Sequence, residues 1–232
     1  MNADRAGAMI QARADELRAQ IRPLGLWARF MGYFGVETSG ARQARELAEE
    51  ADRCEVGGRG ERLTVEIVSV LGKVGWYGFW SRPIPGAKVA DADAVLVPPC
   101  GTFVVLLNSK YWSSKGLGQG LVRAEGKILK HGERDCRDIR SILFETKMLT
   151  EALRKAADRG QPRPSVIPII VVHNAPVADE GFTLQNVRVL PPHRLLEELS
   201  DLVGRRNPAL ASQVAEQADR VLRAPAKEDE DE

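Results

Sequence analysis

Apolar positions recur at helical spacing along the first part of the chain. Ile10, Ala14, Leu17 and Ile21 fall at i, i+4, i+7 and i+11, one face of an amphipathic helix over residues 4–22. Pro23 to Gly35 then gathers Trp27, Phe30, Tyr33 and Phe34 between glycines, an aromatic cluster whose ordinary use is packing between helices. Ala44, Leu47, Ala48, Ala51 and Cys54 mark a second helical face, and Gly57-Gly58-Arg59-Gly60 reads as a break after it. Residues 1–56 are therefore expected to form a helical N-terminal extension. Beyond the glycines, Leu63, Ile67, Val70 and Leu71 continue a helical stripe that ends near Gly72 or Gly75.

The pattern then becomes strand-like. Trp76 to Trp80 is aromatic, and Ala94 to Val97 and Thr102 to Leu107 read as two buried strands joined by a Pro-Pro-Cys-Gly turn. Glycines at 116, 118, 120 and 126 mark loops, with room for a short strand between Leu121 and Leu129. Arg137 to Ala157 returns to helical spacing, with Ile139, Leu143, Thr146, Leu149 or Thr150, and Leu153 on one side. Val166 to Val172 is a β-branched run that predicts a central strand, Val187 to Leu190 a shorter one, and Leu195, Leu196, Leu199 and Leu202 a helix. A last helix is expected from Pro208 to Leu222. The order predicts an α/β fold, one sheet flanked by helices. Residues 57–203 would be its main domain, 204–223 a C-terminal helix and 224–232 a disordered acidic tail.

Composition narrows the function classes. At 232 residues, 44% hydrophobic and 28% charged, the chain suits one folded domain with appended helices. No apolar run reaches the length of a membrane span, and the first residues lack a secretory pattern, so a cytoplasmic protein with no membrane partner is expected. Cys54, Cys100 and Cys136 lie far apart, against both a disulfide framework and a structural zinc site. His131, His173 and His193 have no ligand spacing.

The net charge of +1 hides an asymmetry. Glu228 to Glu232 carries five negative charges, leaving 33 basic against 27 acidic residues in the body, and Lys110 to Arg163 holds thirteen Lys/Arg against seven Asp/Glu. That excess suits a phosphate-facing surface or a solvated helix face. The glycine-rich stretches match neither a Walker A loop nor a dinucleotide fingerprint, and the serines at 109, 113 and 114 lack a nucleophile elbow.

One constellation carries candidate chemistry. If the two buried strands pair as a hairpin, Asp93, at the start of the first, lies beside Asn108 and Lys110, at the end of the second. Residues 108 and 110 share a face because side chains alternate with period two. Oxygen ligands for Mg²⁺ (or Mn²⁺) beside a lysine are what phosphodiester hydrolysis requires, the lysine orienting water or stabilising charge in the transition state. Glu61, read as opening the preceding helix, adds a further carboxylate. Glu145, Arg140 and Lys147 on the Arg137 to Ala157 helix are candidates for phosphate contact or support of the site. Trp112 is a candidate for stacking on a base or for an internal aromatic wedge.

The stretch Gly60-Glu61-Arg62, Gly75-Trp76, Pro85-Gly86, Ala90 to Val97, Pro99, Gly101 and Val105 to Trp112 resembles the nuclease-related domain family of the PD-(D/E)xK, restriction-endonuclease-like superfamily. The resemblance spans residues 57 to about 200. It implies a restriction-endonuclease-like mixed sheet and divalent-metal-dependent DNA cleavage, with Glu61 and Asp93 as carboxylates and Lys110 as the catalytic lysine. One departure stands out: the family's acid two residues before the lysine is Asn108 here, whose amide oxygen can ligate a metal but brings no charge. A DNA nuclease weakened or silenced at Asn108 is the first expectation. A non-catalytic nucleic-acid-binding or assembly module on the same fold is the alternative, with the N-terminal helices offering a surface to a second copy or a protein partner.

Overall fold

A computed structural model of the chain describes residues 11–20, 39–87, 91–112 and 120–222. The aromatic cluster at 23–35, the glycines at 116 and 118 and the acidic tail lie outside the described residues. Residues 11–20 form helix α1, with Ala14 and Leu17 buried as the apolar spacing predicts. Ion pairs from Arg13 to Glu50 and from Arg18 to Asp52 and Glu55 fasten it to α2, Ser39–Val68.

Helix α2 runs straight through Gly57-Gly58-Arg59-Gly60, so the expected break is absent. Each helical glycine costs about 1 kcal/mol relative to alanine, and packing offsets that here. A Cβ on Gly60 would stand 3.4 Å from the Cβ and the backbone nitrogen of Tyr111, so the missing side chain lets the helix backbone approach the end of a strand. Glu61 consequently sits in mid-helix instead of opening one. The buried face beyond it is Thr64, Val65, Val68 and Leu71, whereas Val70 is exposed. A 3-10 turn over Ser69–Val74 ends at Gly75, whose φ of +90° closes the element as expected.

The main sheet has six strands in the order β1-β2-β3-β7-β9-β8. Strands β1 (Tyr77–Pro83), β2 (Asp91–Val97) and β3 (Phe103–Tyr111) form an antiparallel meander. A second, three-stranded sheet follows, β4 (Val122–Glu125), β5 (Ile128–His131) and β6 (Arg134–Cys136), where the sequence pattern predicts one short strand. Helix α3 (Asp138–Ala156) then leads to β7 (Ser165–His173), which pairs parallel with all nine residues of β3. Strand β9 (Val187–Leu190) lies parallel to β7, with β8 (Phe182–Leu184) as its hairpin partner. Helices α4 (Leu195–Leu202) and α5 (Pro208–Val221) complete the described chain. The protein is thus α/β, a mixed sheet flanked by helices, and no helix among the described residues is long and apolar enough to cross a membrane.

Strands β3 and β7 read as near-continuous apolar runs because both of their faces are covered. Val104, Leu106, Ile170 and Val172 pack with Ile142, Leu149 and Leu153 of α3 and Val214 and Ala218 of α5. Val105, Leu107, Ile169 and Val171 pack on the other side with Val65 and Val68 of α2 and Leu195 and Leu199 of α4.

The β2–β3 turn is pinned between layers. Gly101 has φ +68°, and a Cβ there would lie 2.5 Å from the backbone nitrogen of Ala211 in α5, while the Asn207 amide donates to the Pro99 carbonyl at 2.9 Å. Only glycine combines that backbone angle with that approach. Replacing Gly101 by alanine is expected to cost about 2–4 kcal/mol in a urea melt; a loss below about 0.5 kcal/mol would mean that α5 yields freely to the turn.

Candidate functional site

The apolar run of β3 turns polar at its last four residues, Asn108, Ser109, Lys110 and Tyr111, at the C-terminal edge of the parallel β3–β7 pair. Crevices outside such strand ends are where α/β sheets commonly carry sites. Asp93 lies one position beyond the Ala94–Leu107 pair, where β2 and β3 part, and its carboxylate accepts the Ser109 backbone N–H. Asp93 and the end of β3 therefore meet as the hairpin reading requires.

Alternation along β3 then sends neighbours to opposite faces. Asn108 and Lys110 turn toward α3. The Asn108 amide meets the Glu145 carboxylate and lowers its proton affinity, and the Lys110 ammonium lies 3.2 Å from Asp138 at the start of that helix. Ser109 turns toward α2 and donates to Thr64 Oγ1 at 2.8 Å, and Thr64 Oγ1 is 2.7 Å from His173 Nε2. Asp93 is thus held by Ser109, which is itself held by a buried chain of hydroxyl and imidazole groups.

Burial shifts the proton affinities of this cluster. Burial pushes the Asp93 carboxyl up to about 6, against the opposing pull of Lys110 and the Ser109 bonds. Burial likewise raises Glu145, with Lys110 opposing it and Asp93 adding to it. For Lys110 burial works downward, but Asp138, Asp93 and Glu145 outweigh it and hold the ammonium charged. Asn108 Oδ1 and Glu145 Oε2 are buried acceptors with no hydrogen-bond partner among the described residues. Buried polar atoms are rarely left so, and two adjacent ones invite a cation or water.

Other candidate residues lie elsewhere. Glu61 is buried on α2, across the sheet from α3, and accepts from Ser81 Oγ at 3.4 Å. Ser81 lies in β1 between Trp80, paired with Ala94, and Arg82, paired with Ala92, which sets it alongside Asp93, so Glu61 borders the cluster from the other face. Arg140 and Lys147 are exposed, on sides of α3 turned away from Glu145. Trp112 stacks on His131 of β5 with ring centroids 5.0 Å apart, and its backbone is bonded to His173 and Asn174, which makes it a wedge between the two sheets. Sequence reasoning misses Asp138 and Thr64, and it takes up Ser109 and His173 only to set them aside as nucleophile and metal ligand. The local hints were slight: Thr64 follows Glu61 by three residues on one helix face, and Asp138 is an acid in a first helical turn.

The oxygen donors suit a hard divalent ion in kind, since Asp93, Asn108 Oδ1 and Glu145 Oε2 are the ligand types Mg²⁺ and Mn²⁺ take. No three His, Cys, Asp or Glu side chains among the described residues gather closely enough to hold a metal, so such an ion would need the Asn108 amide oxygen. Comparison of the chain with family models, with curated proteins and with solved structures finds no match.

His173 offers a test of the buried chain. Burial lowers its imidazole to about 4, so between pH 6.5 and 4 the unfolded chain binds a proton that the folded one refuses. Wild-type stability should therefore fall through that window, by on the order of 3 kcal/mol. In His173→Gln, which keeps a hydrogen-bonding group for Thr64, this loss is absent. The wild type is expected to be the more stable at neutral pH, with the gap narrowing as pH drops toward 4. A gap constant across the window in urea melts would show that His173 titrates as a solvated ring.

Proposed function

We propose that the chain is a divalent-metal-dependent DNA nuclease of the PD-(D/E)xK kind, attenuated at Asn108. The observation that carries this reading is the meeting of Asp93, Asn108, Lys110 and Glu145 at one strand edge, with two of their oxygens unpartnered. When bound, a Mg²⁺ ion supplies Lewis acidity and a more acidic water. Asp93, Asn108 and Glu145 are the groups that would hold it. The Lys110 ammonium, fixed from behind by Asp138, offsets charge gathering on a phosphate oxygen and helps to orient the attacking water. Burial keeps Asp93 and Glu145 hungry for protons, so ion binding should release protons as the carboxylates ionise. The basic excess between Lys110 and Arg163 would meet the DNA backbone.

A second reading, a nucleic-acid-binding or assembly module, is favoured by one observation: Asn108 and Lys110 are both already engaged, by Glu145 and Asp138.

The two separate on Asn108→Asp. Its third carboxylate beside Asp93 and Glu145 should lower stability in EDTA and restore it on adding Mg²⁺. The variant should also cut plasmid and linear DNA with Mg²⁺ or Mn²⁺ at least about 100-fold faster than the native chain. Adding Lys110→Ala to it should abolish cutting; the melting temperature should fall as well, because the cation that offsets Asp93, Glu145 and Asp138 is gone, and circular dichroism at the assay temperature checks that the chain stays folded. DNA binding by both chains with cutting by neither, in any metal, gives the molecule to the binding-module reading.

A further inference from the structure

A cleft of about 660 Å³ opens between the three-stranded sheet, the first turns of α3 and the β8–β9 turn. Three cations from two elements line it: Lys127 on the β4–β5 turn, and Arg137 and Arg140 on α3 and its cap. None of the three has an ion-pair partner among the described residues, while the acid beside them, Asp135, is taken by Lys130 at 2.8 Å. Like charges gathered without counter-charge repel one another, and an anion is the simplest group to relieve them. Apart from Asp135 and Gln185 the rest of the wall is apolar, with Ile128 left 45% exposed on one side and Leu143 half-buried on the other. Gln185 on the β8–β9 turn donates to the Lys127 carbonyl at 2.9 Å, so the rim is tied down.

We propose that this cleft binds a nucleoside phosphate, its phosphate on Lys127, Arg137 and Arg140 and its base and ribose against Ile128 and Leu143. The chemistry follows from the lining: a bare oxyanion would leave the apolar wall wet, and an uncharged apolar ligand would leave the three cations without a counter-charge. The volume lies in the range that holds one small ligand. Recognition comes from side chains of the β4–β5 turn and the first turns of α3, so no glycine-rich motif is required. The site is distinct from the Asp93 cluster and does not rest on the nuclease reading.

Cys136 lines the cleft and is a free thiol, which gives a direct readout. The full chain in EDTA is treated with N-ethylmaleimide, and modification of Cys136 is followed by mass spectrometry, with Cys54 on α2 as internal reference. AMP or ATP at about ten times its Kd should slow the Cys136 reaction about tenfold and leave Cys54 unchanged. Lys127→Ala with Arg140→Ala, both exposed side chains, should remove the protection without moving the melting temperature. The proposal is overturned if neither nucleotide protects, if protection survives the double variant, or if inorganic phosphate protects at the same concentration as AMP. Protection by a single-stranded oligonucleotide but by neither mononucleotide would also overturn it, by making the cleft a groove for a strand.

Discussion

The parallel pairing of β3 with β7 is the constraint on which the other arrangements depend. All nine residues of β3 are matched to nine of β7, and both strands are covered on both faces. A slip of one residue would exchange the two faces of β3 and carry Asn108 and Lys110 away from α3 and Ser109 away from α2. The same register places Tyr111 opposite His173, so the imidazole that supports Thr64 arrives from the far end of a connection through a second sheet and a helix. Burial of the Val and Ile runs therefore fixes the position of every polar group at the strand ends.

Those polar groups divide by face, and the division sets their chemistry. Toward α3 the side chains are charged or strongly polar, and one ammonium stands among Asp93, Glu145 and Asp138. A lone cation among three acids leaves a local deficit of positive charge, which the raised proton affinities of Asp93 and Glu145 partly absorb. Toward α2 the groups are neutral: Ser109, Thr64 and a His173 kept uncharged by burial. Asp93 sits at the seam, bonded to the backbone of the one residue that turns to the neutral side. Its orientation is thereby linked to packing under α2 as well as to the charges under α3.

The three-stranded sheet adds a second surface beside the main sheet. Trp112 stacked on His131 joins it to the end of β3, and Gln185 joins it to the β8–β9 turn. Between these ties lies the cleft whose cations have no ion-pair partners among the described residues. Residues 110–163 are basic as a stretch, but the fold separates Lys110, paired with Asp138 at the strand end, from Lys127, Arg137 and Arg140, gathered at the cleft.

By itself the sequence determined the elements whose hydrophobic period is strong: the β2–β3 hairpin, the central β7, the helices from α3 onward, and the approach of Asp93 to Asn108 and Lys110. These follow from local alternation and a short turn, so the distances involved are spanned by neighbouring residues. The unbroken α2 was not legible, because glycines read as a break until Tyr111 is known to press against Gly60. Nor was the meander of β4 to β6, whose strands are only three or four residues long and too short to show a period. Asp138 as the partner of Lys110, and Thr64 and His173 beneath Ser109, were decided by tertiary structure alone. They are brought together across 28 and 109 residues of chain, and only the closing of helices onto both faces of the β3–β7 pair makes them neighbours.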